Sequence, residues 1–440
     1  MDLKALFAGK KITVMGLGLL GRGIGDARFL AECGAELIVT DLKDADLLAD
    51  SVAQLNGFPG ITFVLGEHRL EDFRNRDFIL KAAGVPIDSP YVLEARRNGI
   101  PIKMSASWFI ELSGSKAIGV TGTRGKSTTT HMIEEILKVA ERKHILGGNI
   151  RGVSTLAQLA SATKDDLLLL ELDSWQLQGF GESKLSPEIA VFTTFYPDHL
   201  NYYGGDLAAY LSDKANIFLF QDEDEYVLIG AQAAPFIQER YAHAISSKIS
   251  ITDEHMLPED WILMIPGVHN RYNAALALGV ARILGISDTV SRKALEQFTG
   301  VPGRLELLGM AHERFVYDDS TSTTPDATLA ALDALHDRPL LLIMGGADKN
   351  LDMSSLLEVL PKKTREVLLL AGSGTERIKE QLPASPVFNS LADAVAEAFS
   401  RSLPGDAILF SPAFASFGMF RNEYERSDVF RETISTYAAG

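Results

Sequence analysis

Residues 117–130 read AIGVTGTRGKSTTT, which is an apolar run, a glycine turn and the start of a segment with helical spacing. We predict a strand over residues 117–120 and a helix over residues 127–141. In such an arrangement the backbone N–H groups of the turn, the Lys126 ammonium and the hydroxyl groups that follow it can surround phosphates and Mg²⁺. The stretch therefore predicts a phosphate-binding turn at the edge of a sheet.

The spacing of this turn departs by one position from the strict pattern GxxxxGK[ST]. That pattern requires a glycine at position 120, which is Val120, whereas the glycines here are Gly119, Gly122 and Gly125. Gly122 supplies the backbone freedom instead. The alternative is a structural glycine turn with an exposed lysine, but the strand before it and the helix after it favour phosphate binding.

The chain alternates predicted strands and helices over its whole length. Its 440 residues indicate three domains at about 150 residues each. A composition shift in KMSASWFIELSGSK and the hinge-like GVPGR at 300–304 place boundaries near residues 103 and 299. Continuous apolar runs suit parallel strands covered on both faces, so each segment predicts an α/β domain. The predicted strands are 12–15, 37–40, 117–120, 167–172, 189–195, 315–317, 340–344, 367–370 and 407–410. One predicted helix ends at residue 31, and the others span 127–141, 272–284, 289–298, 327–335 and 391–399.

Composition excludes several classes of protein. Lys and Arg number 42 and Asp and Glu number 58, which gives a net charge of -16 that repels a nucleic-acid backbone. We expect no nucleic-acid partner. No apolar stretch is long enough to span a bilayer, and the opening MDLKALFAGKK lacks an apolar segment of signal-peptide length. Because Cys33 is the only cysteine, a reducing compartment is expected, and we predict a cytoplasmic protein without membrane association.

The first glycine turn of the chain, GLGLLG, contains Gly16, Gly18 and Gly21, and Asp41 ends the strand that follows. The glycines let the backbone approach a phosphate at a helix N-terminus, and the carboxylate can accept hydrogen bonds from a ribose. Read alone, the pattern predicts a dinucleotide-binding domain, and a tight structural turn is the alternative. Because a dehydrogenase has no need of the second phosphate turn, ATP chemistry is favoured.

Polar side chains follow two strands of the second segment. Glu171 and Asp173 end LLLLELD, and Asp198 and His199 follow IAVFTTF. Each alone is typical of an ordinary strand end, but the carboxyl ends of parallel strands meet at one edge of a sheet. Together they predict a metal site there.

A family resemblance runs through the whole chain. The strings TGTRGKSTTT, GGNI, ELDSWQL, DHL, HNRYNAALA, GVPGR, DDSTSTT, GGADK and SPAFAS occur in this order. With them the chain resembles the ATP-dependent Mur ligases of peptidoglycan synthesis, and most closely the branch that adds glutamate. The resemblance implies an N-terminal Rossmann-like UDP-binding domain at 1–103 without a nicotinamide cofactor. It also implies a central P-loop ATPase-like parallel-sheet domain at 104–299 and a C-terminal Rossmann-like α/β domain at 300–440 that binds the amino acid.

The resemblance also implies roles for residues, position by position. The catalytic positions are Lys126, Lys214 and His199. The ATP positions are Gly122, Thr123, Arg124, Gly125, Lys126, Ser127, Thr128, Asn270, Asn273, Arg304 and Asp319. The metal positions are Ser127, Glu171, His199 and Lys214, of which Lys214 matches a lysine that the family carbamylates. The UDP-substrate positions are Gly18, Leu19, Leu20, Asp41, Lys43, Asn149 and Gln176, and the amino-acid positions are Thr321, Thr323, Lys349, Ser416 and Glu423.

The amino-acid pocket departs from the pattern of the family's glutamate ligases. Where they commonly read DSKAT, this chain has DSTST, so that Thr321 replaces a lysine, and Glu423 stands where an aromatic residue is usual. Arg124 stands where the family usually has asparagine, and Asp173 stands where it often has serine. The first two changes leave open whether the acceptor is D-glutamate or L-glutamate.

The activity that the resemblance implies is ATP-dependent addition of D-glutamate to UDP-N-acetylmuramoyl-L-alanine through an acyl phosphate, with Mg²⁺. The same reaction with L-glutamate is the alternative. We expect UDP-N-acetylmuramoyl-L-alanine and glutamate as the partners, a monomer, and closure of the domains at GVPGR. A folylpolyglutamate synthetase is disfavoured by the GLGLLG segment, and the remaining rivals are an NAD-dependent dehydrogenase and a non-catalytic nucleotide-binding protein.

Overall fold

The computed structural model describes residues 2–19, 21–199 and 202–438. Three sheets follow one another along the chain, one in each of the predicted segments. The prediction of an α/β protein with parallel sheets is therefore confirmed. Within the described ranges, no helix combines the length and the apolar character needed to cross a membrane.

The first sheet has five parallel strands in the order β3-β2-β1-β4-β5. Its strands are β1 (Lys11–Met15), β2 (Glu36–Asp41), β3 (Ile61–Leu65), β4 (Phe78–Lys81) and β5 (Ile102–Lys103). Its helices are α1 (Leu3–Phe7), α2 (Arg22–Glu32), α3 (Ala49–Ala53), α4 (Pro90–Arg97) and α5 (Ser105–Ser113). The order reverses at β1, so the GLGLLG turn and the loop after β4 lie side by side at the carboxyl edge, where open α/β sheets bind ligands.

The second sheet has six parallel strands in the order β11-β10-β9-β6-β8-β7. Its strands are β6 (Ala117–Thr121), β7 (His144–Gly148), β8 (Leu167–Glu171), β9 (Ile189–Phe192), β10 (Tyr226–Gly230) and β11 (Lys248–Thr252). Its helices are α6 (Lys126–Val139), α7 (Ser174–Ser183), α8 (Leu207–Ala215), α9 (Ala234–Tyr241), α10 (Val268–Ile283) and α11 (Asp288–Gln297). Strand β6 is buried along its whole length with β8 and β9 on either side, so the turn after it is centrally placed.

The third sheet has six strands in the order β12-β13-β17-β14-β15-β16, and only β12 is antiparallel to its neighbour. Its strands are β12 (Glu306–Ala311), β13 (Arg314–Asp318), β14 (Leu340–Gly345), β15 (Glu366–Leu370), β16 (Val387–Phe388) and β17 (Ala407–Phe410). Its helices are α12 (Pro325–Ala334), α13 (Ser354–Lys363), α14 (Ser373–Ile378), α15 (Leu391–Arg401) and α16 (Glu423–Ala438). Single 3₁₀ turns occur at Leu70–Phe73, Leu156–Ala160, Glu254–Met256 and Lys379–Gln381.

The chain forms two compact units, Met1–Met256 with Tyr272–Ser291 and Leu257–Arg271 with Arg292–Gly440. The first two sheets share one continuous hydrophobic core in the first of these units. There the Trp108 ring of α5 packs edge-on against Phe7 at 5.3 Å and tilted against Phe78 at 5.1 Å. The division at residues 103 and 299 and the hinge at GVPGR stay predictions.

Two predicted elements end two or three residues earlier than predicted, whereas the C-terminal ends of the others lie within two residues of the prediction. The predicted strand 189–195 stops at Phe192, and the predicted helix 127–141 ends at Val139. Glu141 has a φ of +52°, which a right-handed helix cannot contain. The backbone beyond Phe192 leaves the sheet because Thr193 and Thr194 bond to the glycine turn after β6.

Candidate active site

The second glycine turn connects β6 to α6 and fits only glycine at two positions. Gly122 has a φ of +139°, and a Cβ atom there would lie 2.0 Å from the Thr193 Oγ1. Gly125 has a φ of +86°, and its Cβ would lie 2.5 Å from the Asn273 Oδ1. Both positions combine a backbone conformation that side chains rarely adopt with a neighbour too close to move freely. The turn is thus tightly packed from behind.

Two threonines after β9 hold this turn by hydrogen bonds. The amide N–H of Thr123 donates to the Thr194 carbonyl at 2.7 Å, and that of Arg124 donates to the Thr194 Oγ1 at 3.0 Å. The Thr193 hydroxyl lies 2.5 Å from the Arg124 carbonyl oxygen, to which it donates. The backbone of the turn is therefore fixed before any ligand arrives, as a phosphate site requires.

Two lysine side-chain nitrogens meet at one carbonyl of the turn. Lys126 Nζ donates to the carbonyls of Gly122 and Thr123 at 3.0 and 3.1 Å. Lys214 Nζ, which comes from α8, donates to the Gly122 carbonyl at 2.8 Å and to the Thr121 Oγ1 at 3.3 Å. Helix α6 also begins at Lys126, so its first N–H groups carry partial positive charge at the same place. The positive charge and the shape of the turn both suit an anion.

Lys214 is buried, with 1% of its surface exposed. Burial, followed by the nearby charge of Lys126, holds the pKa of the Lys214 ammonium well below its usual value. The Tyr210 ring lies 4.9 Å from Nζ, and the Tyr210 hydroxyl lies 3.4 Å from the Thr123 Oγ1. The neutral amine of Lys214 is therefore favoured more strongly in this buried position than it would be for an exposed lysine.

Glu171 ends β8 at the same edge of the sheet and is 3% exposed. Its Oε1 accepts a hydrogen bond from the Asn149 Nδ2 at 3.3 Å, and its carbonyl accepts from the Asn149 N–H at 2.7 Å. Asp173 lies two residues further along the chain but has a different partner. It caps α7, accepting from the Gln176 N–H at 2.7 Å while the Gln176 Oε1 accepts from the Asp173 N–H at 3.2 Å.

His199 follows β9 with a φ of +52°. Its ring lies 4.7 Å from the Trp175 ring, and its Nε2 lies 3.8 Å from the Asp198 Oδ2. Burial is the largest influence on the pKa of His199 and lowers it, and the charges of Lys126 and Lys214 act in the same direction. The neutral imidazole keeps a lone pair that a metal or a proton can use.

The donors present fit Mg²⁺ in part. Among the described residues, no three His, Cys, Asp or Glu side chains are grouped so that they could hold a metal ion by themselves. The Glu171 carboxylate and the Ser127 hydroxyl are the oxygen donors that Mg²⁺ prefers, and Mg²⁺ in nucleotide sites usually takes one or two protein ligands beside phosphate oxygens and water. The His199 imidazole is a softer donor that suits zinc or iron better.

In the first glycine turn, after β1, a backbone N–H group donates a hydrogen bond to a carboxylate. Asp41 Oδ2 accepts from the Gly18 N–H at 3.0 Å, and Oδ1 accepts from the Lys43 N–H at 2.9 Å. The Lys43 Nζ lies 3.7 Å from the Asp41 Oδ1. The Leu19 side chain is 55% exposed, and Leu20 lies outside the described residues. Asp41, predicted to contact the ribose, thus also holds the turn in shape.

In the second unit, Asp319 points into the protein. Its carboxylate accepts hydrogen bonds from the Leu305 N–H at 3.0 Å and from the hydroxyls of Ser322 and Ser411 at 2.6 Å each. Burial raises the pKa of Asp319 to about 7. The Arg304 side chain is exposed. The structure therefore gives Asp319 a role in fixing the loop after β13, beside the nucleotide contact that the sequence predicts.

The predicted amino-acid residues of this unit lie in three loops, after β13, β14 and β17, and at the start of α16. Lys349 Nζ donates to the Thr323 Oγ1 at 2.9 Å, and the Thr321 hydroxyl donates to the Gly303 carbonyl at 2.7 Å. Ser416 is buried in the loop after β17, and Glu423 begins α16. The structure brings Lys349 and Thr323 together, as the prediction of a common pocket requires.

The two asparagines of α10 have separate partners. Asn273 Oδ1 accepts from the Thr129 hydroxyl at 3.3 Å and lies over Gly125. Asn270 Nδ2 donates to the Pro266 carbonyl at 2.7 Å. Asn273 therefore contacts the turn after β6 and the helix that follows it, whereas Asn270 holds the start of its own helix.

The chain is similar over nearly its whole length to two named ligases. It is 36% identical to the UDP-N-acetylmuramoylalanine--D-glutamate ligase of Roseiflexus sp. (strain RS-1), over 98% of this chain and 99% of that protein. It is 34% identical to the protein of the same name from Borreliella afzelii (strain PKo), over 96% of each chain. The chain belongs to the Mur ligase family.

The domain patterns of the Mur ligase family agree with this assignment. The Mur ligase middle domain matches residues 120–262, and the Mur ligase glutamate ligase domain matches residues 303–414. The solved UDP-N-acetylmuramate-alanine ligase of Thermotoga maritima superposes with a TM-score of 0.61 at 20% identity, covering 97% of this chain and 99% of that one. This last likeness establishes a Mur ligase fold. The resemblance read from the sequence motifs is confirmed.

Sequence reasoning missed two arginine contacts in this Mur ligase, one buried and one partly buried. Arg426 is 1% exposed and donates to the carbonyls of Ser320 and Phe414, so it joins two loops of the second unit. Burial lowers the pKa of Arg426 to about 10, so it stays charged at neutral pH. Arg22 donates to the Asn149 Oδ1 at 2.6 Å. Neither arginine lies in a motif, and only their three-dimensional partners reveal them.

Proposed function

We propose that the protein joins D-glutamate to UDP-N-acetylmuramoyl-L-alanine and converts ATP to ADP and phosphate. The observation that carries the proposal is identity of 36% and 34%, over nearly the full length, to two ligases named for this reaction. Both names specify D-glutamate, so the L-glutamate alternative is not favoured.

The triphosphate of ATP binds at the turn after β6 in this proposal. The residues concerned are Gly122, Thr123, Arg124, Gly125, Lys126, Ser127 and Thr128, with Asn270, Asn273, Arg304 and Asp319 as further nucleotide contacts. The rigid turn and the ammonium group of Lys126 support this, because a fixed positive group stabilises a transferring phosphoryl group without reorganisation.

The proposed reaction has two steps, phosphoryl transfer and then acyl transfer. The alanine carboxylate of the UDP-substrate attacks the γ-phosphorus of ATP, the bond to the β-phosphate oxygen breaks, and an acyl phosphate and ADP result. The glutamate amine then attacks the acyl carbon, phosphate leaves, and the amine loses one proton. Activation is required because a carboxylate is a poor acceptor for an amine at neutral pH. Lys126 acts in the first step by offsetting charge on the β- and γ-phosphates.

Ser127, Glu171 and His199 would hold Mg²⁺ together with the phosphates. Bound there, Mg²⁺ offsets phosphate charge during transfer. Ser127 begins the buried face of α6, and Glu171 ends the adjacent strand β8, which supports a common oxygen-donor set at this edge. His199 completes the proposed set as a nitrogen donor.

Lys214 acts as a carbamate in this proposal. A neutral amine attacks CO₂, forms a new N–C bond and releases a proton, which converts a neutral group into an anion. The low pKa that burial imposes on Lys214 supports this step, because only the unprotonated amine is nucleophilic. The carbamate would add an oxygen donor to the metal set.

The UDP-substrate lies along the first two sheets in this proposal. Gly18, Leu19, Leu20, Asp41 and Lys43 bind the UDP end, and Asn149 and Gln176 face the muramoyl group. The placement of the first glycine turn at the point where the strand order reverses supports this. Glutamate binds in the second unit to Thr321, Thr323, Lys349, Ser416 and Glu423. We further propose a cytoplasmic monomer.

Phosphate release measured with purified protein, ATP, Mg²⁺ and UDP-N-acetylmuramoyl-L-alanine tests the function. Release is expected only when D-glutamate is added, and little or none with L-glutamate. Turnover with L-glutamate alone would establish the alternative acceptor, and no turnover with any amino acid would overturn the ligase proposal. Micromolar NADH binding in a fluorescence titration would revive the dehydrogenase reading.

A further inference from the structure

Arg22 is the first residue of α2, directly after the first glycine turn, and its side chain reaches a loop of the second sheet. Its Nη1 donates to the Asn149 Oδ1 at 2.6 Å. Asn149 in turn donates from Nδ2 to the Glu171 Oε1 at 3.3 Å. A continuous chain of hydrogen bonds therefore runs from the first glycine turn to the carboxylate at the end of β8.

The two partners of Asn149 fix the orientation of its side-chain amide. A guanidinium only donates hydrogen bonds, and the Glu171 carboxylate, when ionised, only accepts them. The Asn149 oxygen must therefore face Arg22, and its NH₂ group must face Glu171. Without Arg22, only the longer hydrogen bond of 3.3 Å to Glu171 orients the amide within the described part of the chain.

The start of α2 is packed so closely against the loop of residues 149–154 that Arg22 has a defined position. A Cβ atom at Gly21 would lie 3.4 Å from the Gly152 Cα, and one at Gly25 would lie 2.5 Å from the Ser154 Cβ. One turn further along α2, the buried Asp26 carboxylate accepts a hydrogen bond from the Ser154 hydroxyl at 2.5 Å. The helix end and the loop thus form one rigid junction.

The geometry points to Arg22 as a positioning residue for the UDP-linked substrate, which acts by holding the amide of Asn149. This inference rests on the proposed function, in which the first glycine turn binds the UDP end and Asn149 faces the muramoyl group. Arg22 spans the space between these two places. Its loss lets the amide of Asn149 rotate, so the substrate binds less tightly and its carboxylate is oriented less well.

The test compares Arg22→Ala and Arg22→Lys with Arg28→Ala. Arg28 lies on the same helix but donates to the Gln54 carbonyl at 3.3 Å, within the first sheet's own segment. Binding of UDP-N-acetylmuramoyl-L-alanine is measured by calorimetry without ATP or Mg²⁺, and KM for each substrate is measured with both. Arg22→Ala is expected to weaken binding about 10-fold, as loss of one charge-assisted hydrogen bond does, with KM for ATP unchanged. Arg22→Lys recovers part of the loss, and Arg28→Ala matches the wild type.

A double variant separates this role from a merely structural one. If Arg22 acts through Asn149, then Arg22→Ala combined with Asn149→Ala binds the substrate no more weakly than Asn149→Ala alone. Fully additive losses would overturn the inference, as would wild-type affinity in both Arg22 variants. Arg22→Lys keeps the test valid should the alanine variant fail to fold. If the wild type is active, either of these negative results refutes only the role of Arg22 and leaves the proposed ligase function in place. If the wild type neither binds the UDP-substrate nor shows activity, both proposals are refuted.

Discussion

The two glycine turns of this molecule share a strand–turn–helix pattern but differ in the charge that contacts their backbone. At the first turn the Asp41 carboxylate accepts a hydrogen bond from the Gly18 N–H. At the second turn, Lys126 and Lys214 both donate to the Gly122 carbonyl. A carboxylate suits the hydroxyl and N–H donors of a nucleoside, whereas the Lys126 ammonium suits phosphates. The glycines indicate that a ligand can approach the backbone. The surrounding charge indicates which part of the ligand, nucleoside or phosphate, binds at each turn.

The turns also differ in how tightly they are packed. A Cβ atom at Gly18 would meet nothing within 4 Å, whereas one at Gly122 would lie 2.0 Å from the Thr193 Oγ1. The second turn is therefore pre-shaped by its neighbours, and the first is open on the side of Gly18. Preorganisation is most valuable where charge moves during the reaction, which in the proposed mechanism is at the second turn.

Removing the charge of the second turn should have the largest effect. Lys126→Ala deletes the ammonium proposed to contact the β- and γ-phosphates, so ADP-forming turnover should fall by about 1000-fold or more. Binding of UDP-N-acetylmuramoyl-L-alanine, measured by calorimetry, should stay at the wild-type value because the first turn is untouched.

Lys138→Ala is the matched control for this variant. Lys138 lies on the same helix and pairs at the surface with Glu134, at 2.7 Å. Its loss should leave both activity and binding unchanged. Full activity in Lys126→Ala would remove the role assigned to the second turn.

A methyl group added to each turn should separate them by stability. Gly122→Ala forces Thr193 and the turn apart in a backbone conformation unfavourable for alanine, so the free energy of unfolding should fall by about 4 kcal/mol. Gly18→Ala, at a φ of +66° with open space around it, should cost only about 1 kcal/mol. Urea denaturation measures both values, and equal losses in the two variants would show that the packing difference is not real.

The helices after the two turns bury different side chains at the position five residues after the last glycine of each turn. After Gly21 this residue is Asp26, and after Gly125 it is Thr130. Burial raises the pKa of Asp26 from 3.8 to about 6, so the folded protein binds this proton more strongly than the unfolded chain does. The contribution of Asp26 to stability is therefore present below pH 4 and is lost as the pH rises to about 6.

Asp26→Asn should remove this dependence. The variant and the wild type should have similar free energies of unfolding near pH 4, and above pH 6 the variant should be more stable by about 2 to 3 kcal/mol. Thr130→Val, which replaces a buried uncharged side chain of the same shape, should shift stability equally at all pH values. Parallel pH profiles of Asp26→Asn and the wild type would show that Asp26 ionises normally.

The sequence predicted the second turn well because its determinants are local. Gly122, Gly125 and Lys126 lie within five positions of one another, between a strand and a helix that their own spacing predicts. The role of a carboxylate depends instead on partners that are distant along the chain. Asp319 accepts from Ser411, 92 residues away, and Arg22 reaches Asn149 across 127 residues. No spacing rule connects such pairs, so their chemistry was predicted by residue type and their partners became visible only in the fold.

The smallest expected effect is at the first turn. Asp41 accepts one hydrogen bond with each oxygen, from the N–H groups of Gly18 and Lys43. Asn at this position offers one acceptor and one donor, so one of the two N–H groups loses its partner and faces another N–H. KM for UDP-N-acetylmuramoyl-L-alanine should rise about 10-fold in Asp41→Asn, with KM for ATP unchanged. Asp44→Asn is the control, because Asp44 caps only the exposed Leu47 N–H in the same loop. A rise in KM for ATP equal to that for the UDP-substrate would mean that the first turn does not bind the UDP-substrate separately from the nucleotide.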